Sequence, residues 1–156
     1  MRALQPVPAL LLAAIVVSGC AGPAVQPTAP LTGGVRVLGV GQAMVNRREI
    51  LPGECWDYIN AVYTRAGFPE GRRTYVFRAR KSGPYADINL IRAGDWLHFV
   101  NHSYGGIEHS AIFVRWSNRG AKEARMLSYG GEKRREPGRY LDYDLSNVYA
   151  IIRPAP

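Results

Sequence analysis

Residues 50–68 read ILPGECWDYINAVYTRAGF. Pro52 and Gly53 interrupt the chain, and an apolar helical pattern begins directly after them. Ile59, Val62, Tyr63 and Ala66 recur at the spacing of three and four that lines one helix face. Gly67 and Pro69 stop the pattern. The spacing predicts a helix over 54–66, with Cys55 in its first turn at the edge of the buried face. Cys55 is the only cysteine beyond the first twenty residues. It is either a small core residue or a nucleophile. The helix start favours the second reading, because unsatisfied N–H groups and the helix dipole stabilise a thiolate.

Outward from this helix the pattern changes period. Residues 70–93 are charged and loop-like, with KSGPY (81–85) as a turn. DWLHFV (95–100), EHSAIFVRW (108–116) and EARMLSY (123–129) read as strands, the last two joined as a hairpin through SNRGAK. GGEKRREPGR (130–139) reads as a loop, and NVYAIIR (147–153) as a last strand ended by Pro154. Upstream, residues 35–50 suggest a short strand and then a short helix. One helix followed by antiparallel strands is an α+β class.

The chain has 156 residues, enough for one domain, and 47% of them are hydrophobic, enough for a core. Its net charge is +8, carried by 17 Arg against 3 Lys. Such a balance suits anionic partners.

The N-terminus narrows that set. Arg2 precedes ALLLAAIVV (9–17), an apolar run too short to span a bilayer but suited to a signal-peptide core. VSGC (17–20) follows and resembles a bacterial lipobox, which implies cleavage before Cys20 and its acylation. The expected organisation is a signal peptide over 1–19, a lipidated Cys20 with a Pro-, Ala- and Gly-rich linker over 20–34, and one domain over 35–156. Ala21 after the lipidated cysteine resembles outer-membrane sorting. The expectation is a bacterial cell-envelope protein, lipid-anchored in the outer membrane and facing the periplasm. Export makes an envelope polymer or a lipid headgroup the expected anionic partner rather than nucleic acid. It also leaves Cys55 without an intramolecular disulfide partner.

A cysteine nucleophile needs a base. His98 alternates with Trp96 and Val100 and reads as structural. His102 lies in a polar loop and is the reserve. His109 opens the strongest strand. There it shares a face with Ala111, Phe113 and Arg115, while Ser110, Ile112, Val114 and Trp116 form the face that looks like core.

Three blocks, GECWDYINAVYTRAG, IRAGDWLHFV and IEHSAIFVRW, together resemble the NlpC-type and CHAP-type cysteine peptidases and amidases. These are papain-like enzymes of the bacterial cell wall. The resemblance covers about residues 50–153. It implies a papain-like NlpC-type fold, Cys55 as nucleophile and His109 as base. It also implies a third polar residue on the next strand, where Ser128 falls closest, with Tyr129 beside it. The family carries His, Asn, Gln or Glu there. The sequence departs from the family pattern at Glu54, where Asp is usual, and at Trp56, where a small residue is usual. The family's upstream tyrosine has no match in residues 35–54.

What the resemblance implies is hydrolysis of amide bonds in peptidoglycan stem peptides through a Cys55 thioester, by a monomer that needs no cofactor or metal. Two alternatives stay open: a catalytically silent envelope-binding domain of the same fold, and a thiol-dependent acyltransferase. The Cys55 backbone N–H would supply the oxyanion hole. NHSYGGI (101–107) is either a rim of the cleft or a surface turn. EKRREPGR (132–139) is either a solvated loop or a contact for anionic ligands.

Overall fold

The computed structural model describes residues 32–155. The expected signal peptide, Cys20 and most of the linker lie outside the described residues. The fold is α+β, with two helices and six antiparallel strands. The helices are α1 (Gly33–Asn46) and α2 (Cys55–Arg65). The strands are β1 (Arg73–Arg78), β2 (Trp96–Asn101), β3 (Ile107–Asn118), β4 (Glu123–Ser128), β5 (Arg139–Asp144) and β6 (Val148–Pro154). They form one sheet in the order β1-β6-β2-β3-β4-β5. Among the described residues no helix is long and apolar enough to cross a membrane.

The helix expected over 54–66 forms as α2, and the four expected strands form as β2, β3, β4 and β6. Three expectations are corrected. Residues 35–50 do not hold a strand and a short helix. Residues 35–46 belong to one 14-residue helix, α1, which starts at Gly33 under an N-cap from Thr32 and ends at Asn46. Gly33 and Gly34 are therefore the first turn of a helix and not linker. Residues 70–93 include the edge strand β1, and β5 follows the basic loop at the other edge.

The glycines of α1 explain both its position and why it escapes a periodicity reading. A Cβ on Gly34 would meet the Ala93 carbonyl oxygen at 2.3 Å, and one on Gly94 would meet the Gly34 Cα at 2.3 Å. A Cβ on Gly41 would meet Leu127 Cδ2 at 2.4 Å. Backbone touches backbone at the start of α1, so small residues replace the apolar stripe a helix usually shows.

Both faces of the sheet are buried. On one, α1 and α2 pack Val37, Met44, Ile59, Val62 and Tyr63 over Trp96, Ile112, Leu127 and Ile152. The other face carries Leu97, Phe99, Ala111, Phe113, Met126 and Ile151, covered by Ala86, Ile91 and Leu145. The face of β3 that carries His109 is thus also core, which corrects the one-sided expectation. The covering segment is tied down by Ala79 N–H to the Tyr149 carbonyl and Ala86 N–H to the Val148 carbonyl, both 2.8 Å.

Asp95 braces the junction. Its carboxylate is 1% exposed and takes two bonds from Arg153, at 2.8 and 2.7 Å, and one from Arg92 N–H at 2.8 Å. Such a bidentate pair satisfies a charge that would otherwise be costly to bury. Tyr63 Oη accepts from Trp96 N–H at 2.9 Å and lies 2.7 Å from the Gly94 carbonyl, which joins α2 to the start of β2.

Candidate functional site

Cys55 is the first residue of α2. The helix entry is held in two ways. Asp57, at the third helical position, accepts from Glu54 N–H at 2.8 Å, which is half of a capping box. Asp57 is thus a helix cap and lies outside any triad. The second hold comes from the end of β4. Tyr129 Oη accepts from Leu51 N–H at 3.2 Å and donates to the Leu51 carbonyl at 2.6 Å. Glu132 N–H bonds the Gly53 carbonyl at 2.8 Å, and Gly53 N–H bonds Glu132 Oε2 at 3.2 Å. The start of α2 is thereby stapled to the point where β4 leaves the sheet.

That point is where the site forms. The ladder between β3 and β4 ends at the pair Ala111 and Ser128. Beyond it the strands part, and a cleft of about 150 Å³ opens between them. Cys55, His109 and Ser128 all line it. Cys55 comes from the helix face of the sheet, and His109 from the opposite face beside Phe99 and Tyr143.

His109 is fixed by hydrogen bonding and packing. Its Nε2 lies 2.8 Å from Ser128 Oγ, and Ser128 Oγ lies 2.8 Å from Tyr143 Oη. Phe99 meets the imidazole edge-on, with ring centroids 5.5 Å apart. Nδ1 makes no hydrogen bond among the described residues and is not sealed from solvent. Burial and the Arg134 guanidinium push the His109 pKa down to about 4, so the ring is a neutral imidazole at pH 7.

Cys55 differs from expectation in one respect. Burial raises its pKa above the ordinary thiol range, although the backbone N–H groups of Ser110, Trp56 and Cys55 itself oppose the shift. Glu54 adds to the rise. At this sulfur desolvation outweighs the helix start, and Cys55 is a thiol rather than the thiolate the helix position suggests. No hydrogen bond joins Cys55 to a histidine among the described residues.

The other histidines are elsewhere. His98 is on the helix face, with Nδ1 3.1 Å from Ser110 Oγ and its ring stacked on Trp96 at 5.3 Å. Burial lowers its pKa to about 4. His102 is exposed and bonded to Asn147 Oδ1 at 3.0 Å.

Tyr143 has no counterpart in the sequence reading, while Tyr104, Arg134 and Arg139 come from the two segments it left open. Tyr143 extends the His109–Ser128 chain, and Arg139 comes from the adjoining edge of β5. Tyr104 and Arg134 face each other across the mouth, with the guanidinium 5.5 Å from the ring centre. Residues 101–107 are therefore a rim of the cleft, and part of the basic run 132–139 lines it as well. The alternation of β3 exposes His109 to a sequence reading, but nothing local says that loops 30 residues apart meet over it. Among the described residues no group of three His, Cys, Asp or Glu is placed to hold a metal ion.

Comparison with protein-family models, with curated proteins and with solved structures found no match.

Proposed function

We propose that the protein is a papain-like cysteine peptidase or amidase of the bacterial cell envelope that hydrolyses amide bonds in peptidoglycan stem peptides. The observation that carries this reading is the shared cleft. It joins a cysteine at a helix start to a histidine whose far nitrogen is held by Ser128. The lipobox-like VSGC and the blocks resembling NlpC-type enzymes supply compartment and substrate class.

The chemistry assigned to the residues is as follows. His109 is the neutral tautomer with its proton on Nε2, donated to Ser128 Oγ, so that Nδ1 is the free base. As Cys55 Sγ attacks the amide carbonyl, its proton passes to Nδ1. The raised thiol pKa and lowered imidazole pKa make this a transfer concerted with attack rather than a preformed ion pair. The carbonyl oxygen takes the negative charge and accepts from the Cys55 N–H at the helix start and from the nearby Ser110 N–H. The C–N bond breaks, and the imidazolium protonates the leaving amine. Water, deprotonated by Nδ1, then cleaves the thioester and releases a carboxylate.

The test is incubation of the mature protein with purified peptidoglycan. Amine-bearing fragments should appear with the native chain and be absent with Cys55→Ala or His109→Ala. Fragments released by Cys55→Ala would refute the nucleophile.

One observation favours the second reading, a silent envelope-binding domain. The thiol is held protonated and no histidine is bonded to it. Binding of peptidoglycan by the folded native chain without any cleavage would decide for it.

A further inference from the structure

A surface outside the cleft lies on the helix face of the sheet, between the start of α2 and the edge strand β1. Trp56 is 47% exposed although it follows Cys55 directly, and its ring tilts over Trp96 at 5.7 Å. Tyr75 of β1 is 50% exposed. Register puts it on the same face, because Tyr75 pairs with Ile152 and Ile152 with Trp96. The two strand spacings between β1 and β2 place Tyr75 about 10 Å from the Trp96 position that Trp56 covers. Beside these rings the Arg73 guanidinium lies 5.4 Å from the Trp96 ring centre and is held by Asn60 Oδ1 at 2.8 Å, the Phe68 carbonyl at 2.8 Å and Thr64 Oγ1 at 3.1 Å. Arg78 stacks on Tyr75 at 4.6 Å. By register Arg78 is in the row of Ala150 and His98, the latter bonded to Ser110 beside the Cys55 sulfur. Neither Arg73 nor Arg78 has a carboxylate partner among the described ion pairs.

We propose that this saddle of Trp56, Tyr75 and Arg78 binds an anionic saccharide, a pair of amino-sugar rings carrying a carboxylate. The class follows from the chemistry. Exposed Trp and Tyr faces stack on the apolar C–H faces of pyranose rings, one ring to each aromatic. The stacked Arg78 fork offers two parallel N–H donors to a carboxylate. The Asn60 side-chain amide, whose oxygen holds Arg73, keeps its N–H donors for ring hydroxyls. An apolar protein partner fits less well, because arginines interrupt the aromatic surface and blunt the β1 edge. The proposal deepens the peptidoglycan reading and rests on it for the identity of the sugar. A glycan seated here would hold its attached peptide near Cys55.

The test uses the full mature chain in detergent with Cys55→Ala, so that cleavage does not enter. The probe is peptidoglycan glycan strands stripped of peptide, whose lactyl carboxylates are free. Titration should change the fluorescence of Trp56 and saturate. Trp56→Ala and Tyr75→Ala should each weaken binding about tenfold or more, while Tyr75→Phe retains it. Arg78→Gln should lower affinity to that for neutral chitooligosaccharides. Equal affinity of the starting protein for acidic strands and neutral chitooligosaccharides would overturn the proposal. So would unchanged binding in the folded Tyr75→Ala protein, or equal saturation by inorganic polyphosphate. Hydrolysis of whole peptidoglycan by the native chain is scored separately. Saddle binding without hydrolysis sinks the enzyme reading alone, and hydrolysis with no effect of Tyr75 and Arg78 on strand binding sinks this one alone.

Discussion

Ser128 carries the sharpest consequence at the residue scale. It holds His109 with a neutral hydroxyl, whereas a carboxylate would favour the imidazolium. Ser128→Asp should therefore raise the His109 pKa from about 4 toward or above its ordinary value near 6.5, as read from the ring proton shifts in an NMR titration. An unchanged pKa in a folded Ser128→Asp protein would separate His109 from residue 128. Ser128→Ala should lower turnover by roughly ten- to a hundredfold, because an unanchored ring still has a basic nitrogen but loses its tautomer and direction. His98→Gln should leave turnover within a few-fold, since its engaged nitrogen faces Ser110 and not the cleft. The thiol gives a matching pH signature. Its pKa is raised, so alkylation of Cys55 by iodoacetamide should be slow at pH 7 and accelerate through the alkaline range. Rapid alkylation that is flat above pH 6 would contradict the buried-thiol resting state.

At the scale of elements, the site depends on how α2 is held. Tyr129 clamps Leu51 with two hydrogen bonds while its ring stacks on Tyr58 at 4.5 Å. Tyr129→Phe keeps the stack and removes the clamp. It should cost about 1–2 kcal/mol in denaturant melts and reduce turnover more than it reduces stability at the assay temperature. The Gly34–Gly94 contact seats α1, and Gly94 also has φ +88°. Gly94→Ala brings a Cβ into backbone and should destabilise by several kcal/mol, a larger loss than at an open glycine such as Gly39. Element by element, legibility follows burial. α2 shows in the sequence because one stripe of it is apolar and its ends carry turn residues. β2, β3 and β6 show because they are central and rich in aliphatic and aromatic residues. α1 hides because its closest contacts are made by glycines. β1 (RTYVFR) and β5 (RYLDYD) hide because edge strands carry charges on positions that a central strand would bury.

For the whole molecule, burying two histidines makes stability depend on pH. His98 and His109 both titrate near 4 when folded and near 6.5 when unfolded, so below pH 6.5 the unfolded chain binds more protons. Stability should be full above pH 6.5 and fall as pH drops toward 4, by roughly 3 kcal/mol for each histidine if the native packing persists. The double variant His98→Gln, His109→Gln should flatten that part of the melting-temperature profile. A profile equally steep in the variant would place the effect on other groups.

Local sequence determined the helix that starts at Cys55, the central strands and the alternation that sets His109 apart from Ser110. These depend on spacings of two, three or four residues, and such spacings are fixed by backbone geometry. Only the tertiary structure decided that both faces of the sheet are buried, that β3 and β4 part at Ser128, and that Tyr104, Arg134 and Tyr143 meet there. Only it showed that burial outweighs the helix start at the Cys55 thiol. Those outcomes depend on long-range contacts and on the exclusion of water, which no short spacing encodes. GECWDYINAVYTRAG announces a cysteine at a helix start, and the closing of β4 on Leu51 and Gly53 sets what stands around it.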